Sequence, residues 1–392
     1  MDLFEKCAKF TVAAEAMAAG YYPYFIPFDG SEGTEVTYQG RRLIMAGSNN
    51  YLGLTTDPRV KQAAIDAIAR YGTSCTGSRL LNGTLRLHEE LECELADFVG
   101  KEAALVFTTG FSVNLGVIGS LVGRDDAAIV DRECHASIME GCACSLGGRK
   151  RFSHNDMEDL ERTLKRCPPK ARNLVVVDGV YSMGGDIAPL PRVVELCRKY
   201  GARLMVDDAH ALGVLGGGRG TPAHFRLTDQ VDLLMGTFSK ALASIGGFIA
   251  GDAKLIHYLK HFARPFIFSA SCPPSAAGAA LAALRIVREE PEHCRRVLEI
   301  GRKMALALGG MGFDVGQTET PIVPIRIGDQ TKTALVWKAL FDEGIFVNAI
   351  VPPAVPPKTE CLRTSYMATH TGEQLSRILD TLQKVGRQMG LI

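Results

Sequence analysis

The feature that most limits what this chain can become is a recurring pair: a short apolar run, then a cluster of polar and glycine residues. The runs fall at 104–107, 128–130, 174–177, 204–206, 233–235 and 247–250. Amphipathic stretches of helical spacing lie between several of them, 191–200 for example. Buried strands alternating with helices specify an α/β domain with a mostly parallel central sheet. The clusters that follow the runs are Thr108-Thr109-Gly110, Asp131 to His135, Asp178 to Ser182, Asp207 to His210 and Gly236 to Lys240. In a parallel sheet all of them fall at one edge, the carboxyl ends of the strands, where open α/β sheets bind ligands. One such cluster is an ordinary strand-to-loop turn. Five at five strand ends point to a site.

The flanks read differently. Residues 1–20 read as a lone helix closed by Gly20, and 34–46 as a β-hairpin turning at Gln39-Gly40. A helix starts at Pro58 with Asp57 as its cap. Beyond residue 275 the pattern is helical again, in two runs (275–290 and 292–308) separated by Pro291, and Gly372–Gln388 reads as the last helix. The expected division is a helix-and-hairpin segment over 1–45, a large α/β domain over 46–285 and a small α+β domain over 286–392. A formal net charge of +1 leaves no electrostatic footprint for nucleic acid. No apolar stretch approaches the roughly 20 residues of a membrane span, and MDLFEKCAKF lacks the pattern of a signal peptide, so the expectation is a cytoplasmic protein. The eleven cysteines are scattered with no CxxC pair, so they read mostly as buried thiols, with no metal site. Gly216-Gly217-Gly218-Arg219-Gly220 reads as a flexible surface loop.

Among the clusters, Gly236-Thr237-Phe238-Ser239-Lys240 says most. A lysine just past a buried strand is costly unless solvated, paired or covalently used. Its plainest reading is a snorkelling side chain at a domain edge. Here two hydroxyls precede it and Ser244-Ile245-Gly246-Gly247 follows, the setting a Schiff-base lysine needs beside a phosphate-bearing carbonyl cofactor. A strand-end carboxylate such as Asp207 would then keep the pyridine nitrogen of pyridoxal phosphate (PLP) protonated. Asp208 is an equal candidate on pattern alone. His210 is placed to hydrogen-bond the phenolic oxygen. Thr109-Gly110-Phe111 opens a helix after a strand, which makes a phosphate site. No GxxxxGK[ST] and no dinucleotide fingerprint occurs.

With these residues in hand, the sequence resembles the α-oxoamine synthases of the fold-type-I, aspartate aminotransferase-like PLP superfamily. The resemblance runs from about Tyr21 to the end. It is carried by Ser48-Asn49-Asn50-Tyr51-Leu52-Gly53, Gly77-Ser78-Arg79, Asn82-Gly83-Thr84, His135-Ala136-Ser137, Gly179-Val180-Tyr181-Ser182-Met183 with Asp186, Asp207 with His210, the Lys240 motif, and Leu362-Arg363 before Ala368-Thr369-His370-Thr371. It implies that Lys240 binds PLP covalently and that Asp207 pairs with the ring nitrogen. His135 would stack on the ring, and His210 and Ser182 would contact the phenolic oxygen. The amides of Gly110 and Phe111 and the hydroxyls of Thr237 and Ser239 would hold the phosphate. Ser269 would reach the phosphate of a neighbouring subunit in a homodimer. Arg363 would clamp the carboxylate of an amino acid, with Asn50 near it.

The reaction implied is a decarboxylative condensation of an amino acid with an acyl thioester, acyl-CoA or an acyl carrier. Phe238-Ser239, Ile245-Gly246-Gly247-Phe248 and Ile350-Val351-Pro352-Pro353-Ala354-Val355-Pro356 are closest to the branch that joins serine to a long acyl chain. Branches using alanine or glycine are the alternative. Asp178 stands where the family commonly has glutamate, and Tyr366 is bulkier than the family's usual residue. An aminotransferase or aldolase on the same fold would not explain His135-Ala136-Ser137 together with the C-terminal pattern. A non-catalytic paralogue would have lost Lys240.

Overall fold

The computed structural model describes residues 2–168 and 172–392. Its centre is a seven-stranded sheet in the order Ala103–Phe107, Gly247–Gly251, Leu233–Thr237, Arg203–Asp207, Arg172–Asp178, Asp126–Asp131, Gly148–Phe152. Gly247–Gly251 runs antiparallel to both neighbours. The remaining pairs are parallel, so every apolar run identified above is a strand of this sheet and the five polar clusters share one edge.

Helices cover both faces, and strand alternation divides the core between them. Leu105, Phe107, Val130, Val176, Met205, Met235 and Ile249 pack on one side. Ala104, Val106, Leu234, Phe248 and Ala250 pack on the other side at one end of the sheet. Ile129, Val175, Val177, Leu204 and Val206 do so at the other end. Each fully buried side chain of this kind contributes roughly 1.5–3 kcal/mol. The same parity decides where the strand-end acids point: Asp178 follows Val176 and Asp207 follows Met205, whereas Asp131 follows Ile129 onto the opposite face.

The C-terminal part holds a three-stranded antiparallel sheet, Ile322–Arg326, Cys361–Ser365 and Asn348–Ile350. The helices Glu292–Gly310, Gln330–Asp342 and Gly372–Gln388 cover it. The N-terminal hairpin, Glu35–Tyr38 and Arg41–Met45, turns at Gln39 and Gly40, both with positive φ, as a two-residue hairpin loop requires. The short strand Ile345–Phe346 pairs parallel with Arg41–Met45. Leu43, Ile44 and Met45 therefore share a core with Val323, Trp337, Leu340 and Leu375. Asp57 caps Pro58–Tyr71 by accepting from the Arg59 amide.

Two expectations need correction. Residues 1–20 form two short helices, Glu5–Ala8 and Val12–Ala18, rather than one. Neither buries a residue or has a side-chain cap, and without packing a short helix does not extend. Gly216–Gly218 is a packed turn rather than a loose surface loop. Gly218 is buried, and a Cβ there would come within 2.7 Å of Val287. Leu212 bridges to Arg219 across the turn. The cysteines are mostly buried thiols, as expected: six of the eleven are buried, Cys7, Cys93 and Cys144 are exposed, and all eleven are free.

Candidate active site

The carboxyl edge of the sheet encloses a cavity of about 300 Å³. Thr109, Gly110, Phe111, His135, Asp178, Asp207, His210, Thr237, Ser239 and Lys240 all contribute to its wall. A larger hollow of about 690 Å³ opens at the opposite edge. None of the strand-end clusters reaches it, and its arginines are paired, Arg172 with Asp126 and Arg203 with Asp232.

One end of the cavity is built for an anion. Thr109 caps Gly110–Leu121 by accepting from the Ser112 amide, which leaves the first amides of that helix free. Beside them the Thr237 and Ser239 hydroxyls lie 2.8 Å apart. A side chain at Gly110 would put its Cβ 2.8 Å from Thr237 Oγ1, so glycine is what lets helix and strand come this close.

The middle of the cavity carries the titratable groups. Asp207 Oδ2 accepts from Asn114 Nδ2 at 2.7 Å and Oδ1 from the Ala209 amide at 3.0 Å. Asp208 is turned away: its Oδ2 accepts from the Thr221 amide, and burial pushes its carboxyl up to about 7. Strand parity thus separates two acids that the sequence pattern could not. Asp178 sits level with Asp207 on the neighbouring strand. Burial, reinforced by Asp207, raises Asp178 well above the usual carboxylate range. Its Oδ2 accepts from the His135 amide, and its Oδ1 is buried without a partner. The His135 ring meets the Ser137 hydroxyl at 2.8 Å, and burial lowers its pKa. Burial also holds Lys240 at about 8, although Asp207 and Asp178 pull the other way.

Arg363, on Cys361–Ser365, enters from the small sheet. It donates to the Ser182 carbonyl, Asn49 Oδ1 and the Tyr51 hydroxyl. These are neutral oxygens, so the guanidinium charge is free to meet an external carboxylate. The structure does not bring every expected residue into this cluster. Asn50 turns its amide to Thr55 Oγ1, and Asn49 takes the contact with Arg363. Ser182 reaches Arg363 through its carbonyl, and its hydroxyl is not part of the cavity wall. Ser269 is exposed and outside the cavity of its own chain. Asn114 and Tyr51 were missed by sequence reasoning. A lone asparagine within the apolar stretch Val113-Asn114-Leu115-Gly116-Val117 was the available signal for the first, and its place in the motif Ser48-Asn49-Asn50-Tyr51-Leu52-Gly53 for the second.

On the other face, Asp131 and Asp186 hold His154 between them at 3.0 Å each. Burial alone would lower this imidazole; the two carboxylates outweigh it and lift it to about 10. Asn155 adds bonds to both acids. His154 therefore ties the loop that carries His135 to the loop that carries Ser182.

An anion-binding end, an acid in the middle, a flat ring and a buried amine are the groups a phosphorylated pyridine aldehyde needs. The unpartnered Asp178 oxygen and the glycine cradle at Gly110 leave room for such a molecule. The residues present fit PLP.

The chain belongs to the aminotransferase class I and II family, whose sequence model matches residues 42–382. Within that family it is 50% identical over 391 residues to a serine palmitoyltransferase of Bacteroides thetaiotaomicron, covering 100% of this chain and 99% of that one. The solved serine palmitoyltransferase of Sphingomonas wittichii superposes with a TM-score of 0.97 at 37% identity over the whole of both chains. A solved serine palmitoyltransferase with PLP gives a TM-score of 0.97 at 38% identity, again over all of both chains. The family is PLP-dependent.

Proposed function

We propose that this chain is a PLP-dependent acyltransferase of the α-oxoamine synthase type. It condenses L-serine with a long-chain acyl-CoA such as palmitoyl-CoA, giving 3-ketosphinganine, CoA and carbon dioxide. The observation that carries the reading is the union in one cavity of Lys240, Asp207 and His135 with an uncommitted Arg363 at its margin. The full-length similarity to serine palmitoyltransferases supports the choice of substrates.

PLP, once bound, supplies the electron sink that makes a carbanion at the amino acid's Cα accessible. The chain's own groups do the rest. Asp207, oriented by Asn114 and the Ala209 amide, holds a proton on the ring nitrogen. The helix amides of Gly110 and Phe111, with the Thr237 and Ser239 hydroxyls, hold the phosphate. His135 packs on the ring face, and His210 addresses the phenolic oxygen. Arg363 takes the serine carboxylate and so orients the Cα–H bond. Lys240 removes the Cα proton and returns one after decarboxylation; an amine near 8 is suited to both.

We further propose a cytoplasmic homodimer. Phe111 and Ile245 line the cavity yet are exposed, and Leu81 and Phe268 are exposed by 79% and 76%, an apolar rim that a second copy would cover. Among the described residues no helix is long and apolar enough to cross a membrane.

The decisive experiment follows the visible band of the PLP-loaded protein during titration with serine, alanine or glycine, and then thiol release from acyl-CoAs of different lengths. Tightest response to serine with turnover of palmitoyl-CoA is expected. Preference for alanine or glycine with a short donor would move the chain to another branch, and a protein that takes up no PLP would sink the reading.

Two further results are expected. Arg363→Lys should raise the KM for serine by about tenfold or more with a smaller change in kcat, because a point charge replaces a bidentate fork; steady-state kinetics at saturating acyl-CoA reads it. Covalent PLP uptake by cofactor-free protein needs neutral Lys240. Its rate should therefore climb about tenfold per pH unit below 8 and level off above, as followed by growth of the visible band.

A further inference from the structure

Tyr51 has no exposed surface, and its hydroxyl meets three groups at once. His210 Nδ1 is 2.7 Å away, Arg363 Nη2 3.3 Å and Asn49 Oδ1 3.3 Å. Valence fixes the direction of one of these bonds, and distance orders the other two. A guanidinium can only donate, so the Tyr51 oxygen accepts from Arg363. The phenol has one proton to give, to His210 or to Asn49. Asn49 Oδ1 already accepts from Arg363 Nη2 at 3.0 Å and is the more distant of the two. Distance assigns the proton to the closer acceptor, His210 Nδ1; the reverse order, with His210 Nδ1–H donating to Tyr51 and Tyr51 to Asn49, is the outcome that the tautomer measurement below tests.

An imidazole whose Nδ1 accepts carries its own proton on Nε2 if it is neutral. It is neutral: burial, with Lys240 and Arg363 nearby, pushes it well below its ordinary value. Nε2–H is then the one donor His210 can offer to the cavity it lines. Burial likewise keeps the Tyr51 phenol protonated.

We propose that Tyr51 is a positioning residue that fixes the tautomer of His210 and couples it to Arg363. Tyr51 steadies the guanidinium by accepting one of its N–H groups, so a carboxylate captured by Arg363 meets a fixed fork, and arrival of the amino acid is felt at the imidazole that addresses the cofactor's phenolic oxygen. The inference rests on the proposed function for its consequence, but not for the tautomer, which belongs to the protein alone.

Tyr51→Phe removes the hydroxyl and little else. In wild-type cofactor-free protein with ¹⁵N-labelled histidine, His210 should show a bare Nδ1 and a protonated Nε2; Tyr51→Phe should turn this into a mixture. In the PLP-loaded variant, the pH midpoint of the visible band should shift and serine should bind about tenfold more weakly, the effect of one lost hydrogen bond to a charged partner. The KM for acyl-CoA should stay unchanged. A wild-type His210 protonated on Nδ1 would overturn the proposal even if the variant failed to fold. So would a variant whose band and serine affinity matched wild type. The expected tautomer in a protein that never takes up PLP would uphold the tautomer and defeat the proposed function instead.

Discussion

Lys240→Ala is expected to lower turnover by at least about 10,000-fold, because one substitution removes both the group that binds the cofactor covalently and the base that moves the Cα proton. Stability should not fall with it. The amine is buried and displaced to about 8, which marks a charge held at a cost in the folded state. Thiol release under single-turnover conditions and a urea melt on the same preparation check both halves. Activity within tenfold of wild type would remove Lys240 from the mechanism. A large drop in the urea midpoint would mean that the amine is a structural tie to Asp207 and Asp178.

His154→Ala should destabilise the fold markedly although it lies away from the chemistry. It leaves Asp131, fully buried, facing Asp186 with no cation between them. Removing one partner of a buried ion pair costs about 3 kcal/mol or more. The pH dependence has a definite sign. The imidazole is held at about 10 in the folded protein against about 6.5 when unfolded. Its stabilisation is therefore complete below pH ~6.5 and is lost as pH rises through about 10. Wild type should lose urea resistance across that window, and His154→Gln should lose far less. Matching slopes for the two proteins would show that His154 carries no charge there.

These two residues also show what the sequence could and could not reveal. Lys240 was legible because its neighbours are local: a buried strand before it, two hydroxyls at close spacing, and a glycine pair after it. The sheet was legible for the same reason, since six of its seven strands carry a continuous apolar run; the edge strand Gly148–Phe152, rich in arginine and lysine, does not and was not read from the sequence. His154 was not legible, because the acids that define it lie 23 and 32 positions away and meet it only when two loops fold together. Asp207 and Asp208 were indistinguishable as text; the side each faces became clear only once the strand's parity was known. Asn49 and Asn50 are adjacent as well, and only the placement of Arg363 from the far end of the chain shows which of them it touches. The single-helix reading of residues 1–20 failed for a related reason: helix-forming composition says nothing about the absence of a surface to pack on.

The antiparallel strand Gly247–Gly251 has a consequence for how the molecule is made. Ala103–Phe107 stands at the edge of the sheet, and Gly247–Gly251 is its neighbour there. During synthesis this strand must wait, unpaired, until the ribosome has delivered everything up to residue 251. The helix Gly110–Leu121, which offers the phosphate its amides, waits with it. Pairing so distant in sequence is slow, and an open strand edge invites self-association in the interval. Chain released early, before residue 247, would keep most of the parallel sheet but leave its first strand without a ladder partner. Such fragments should be the aggregation-prone species in the cell, and the catalytic cavity cannot be complete before residue 251 has been made.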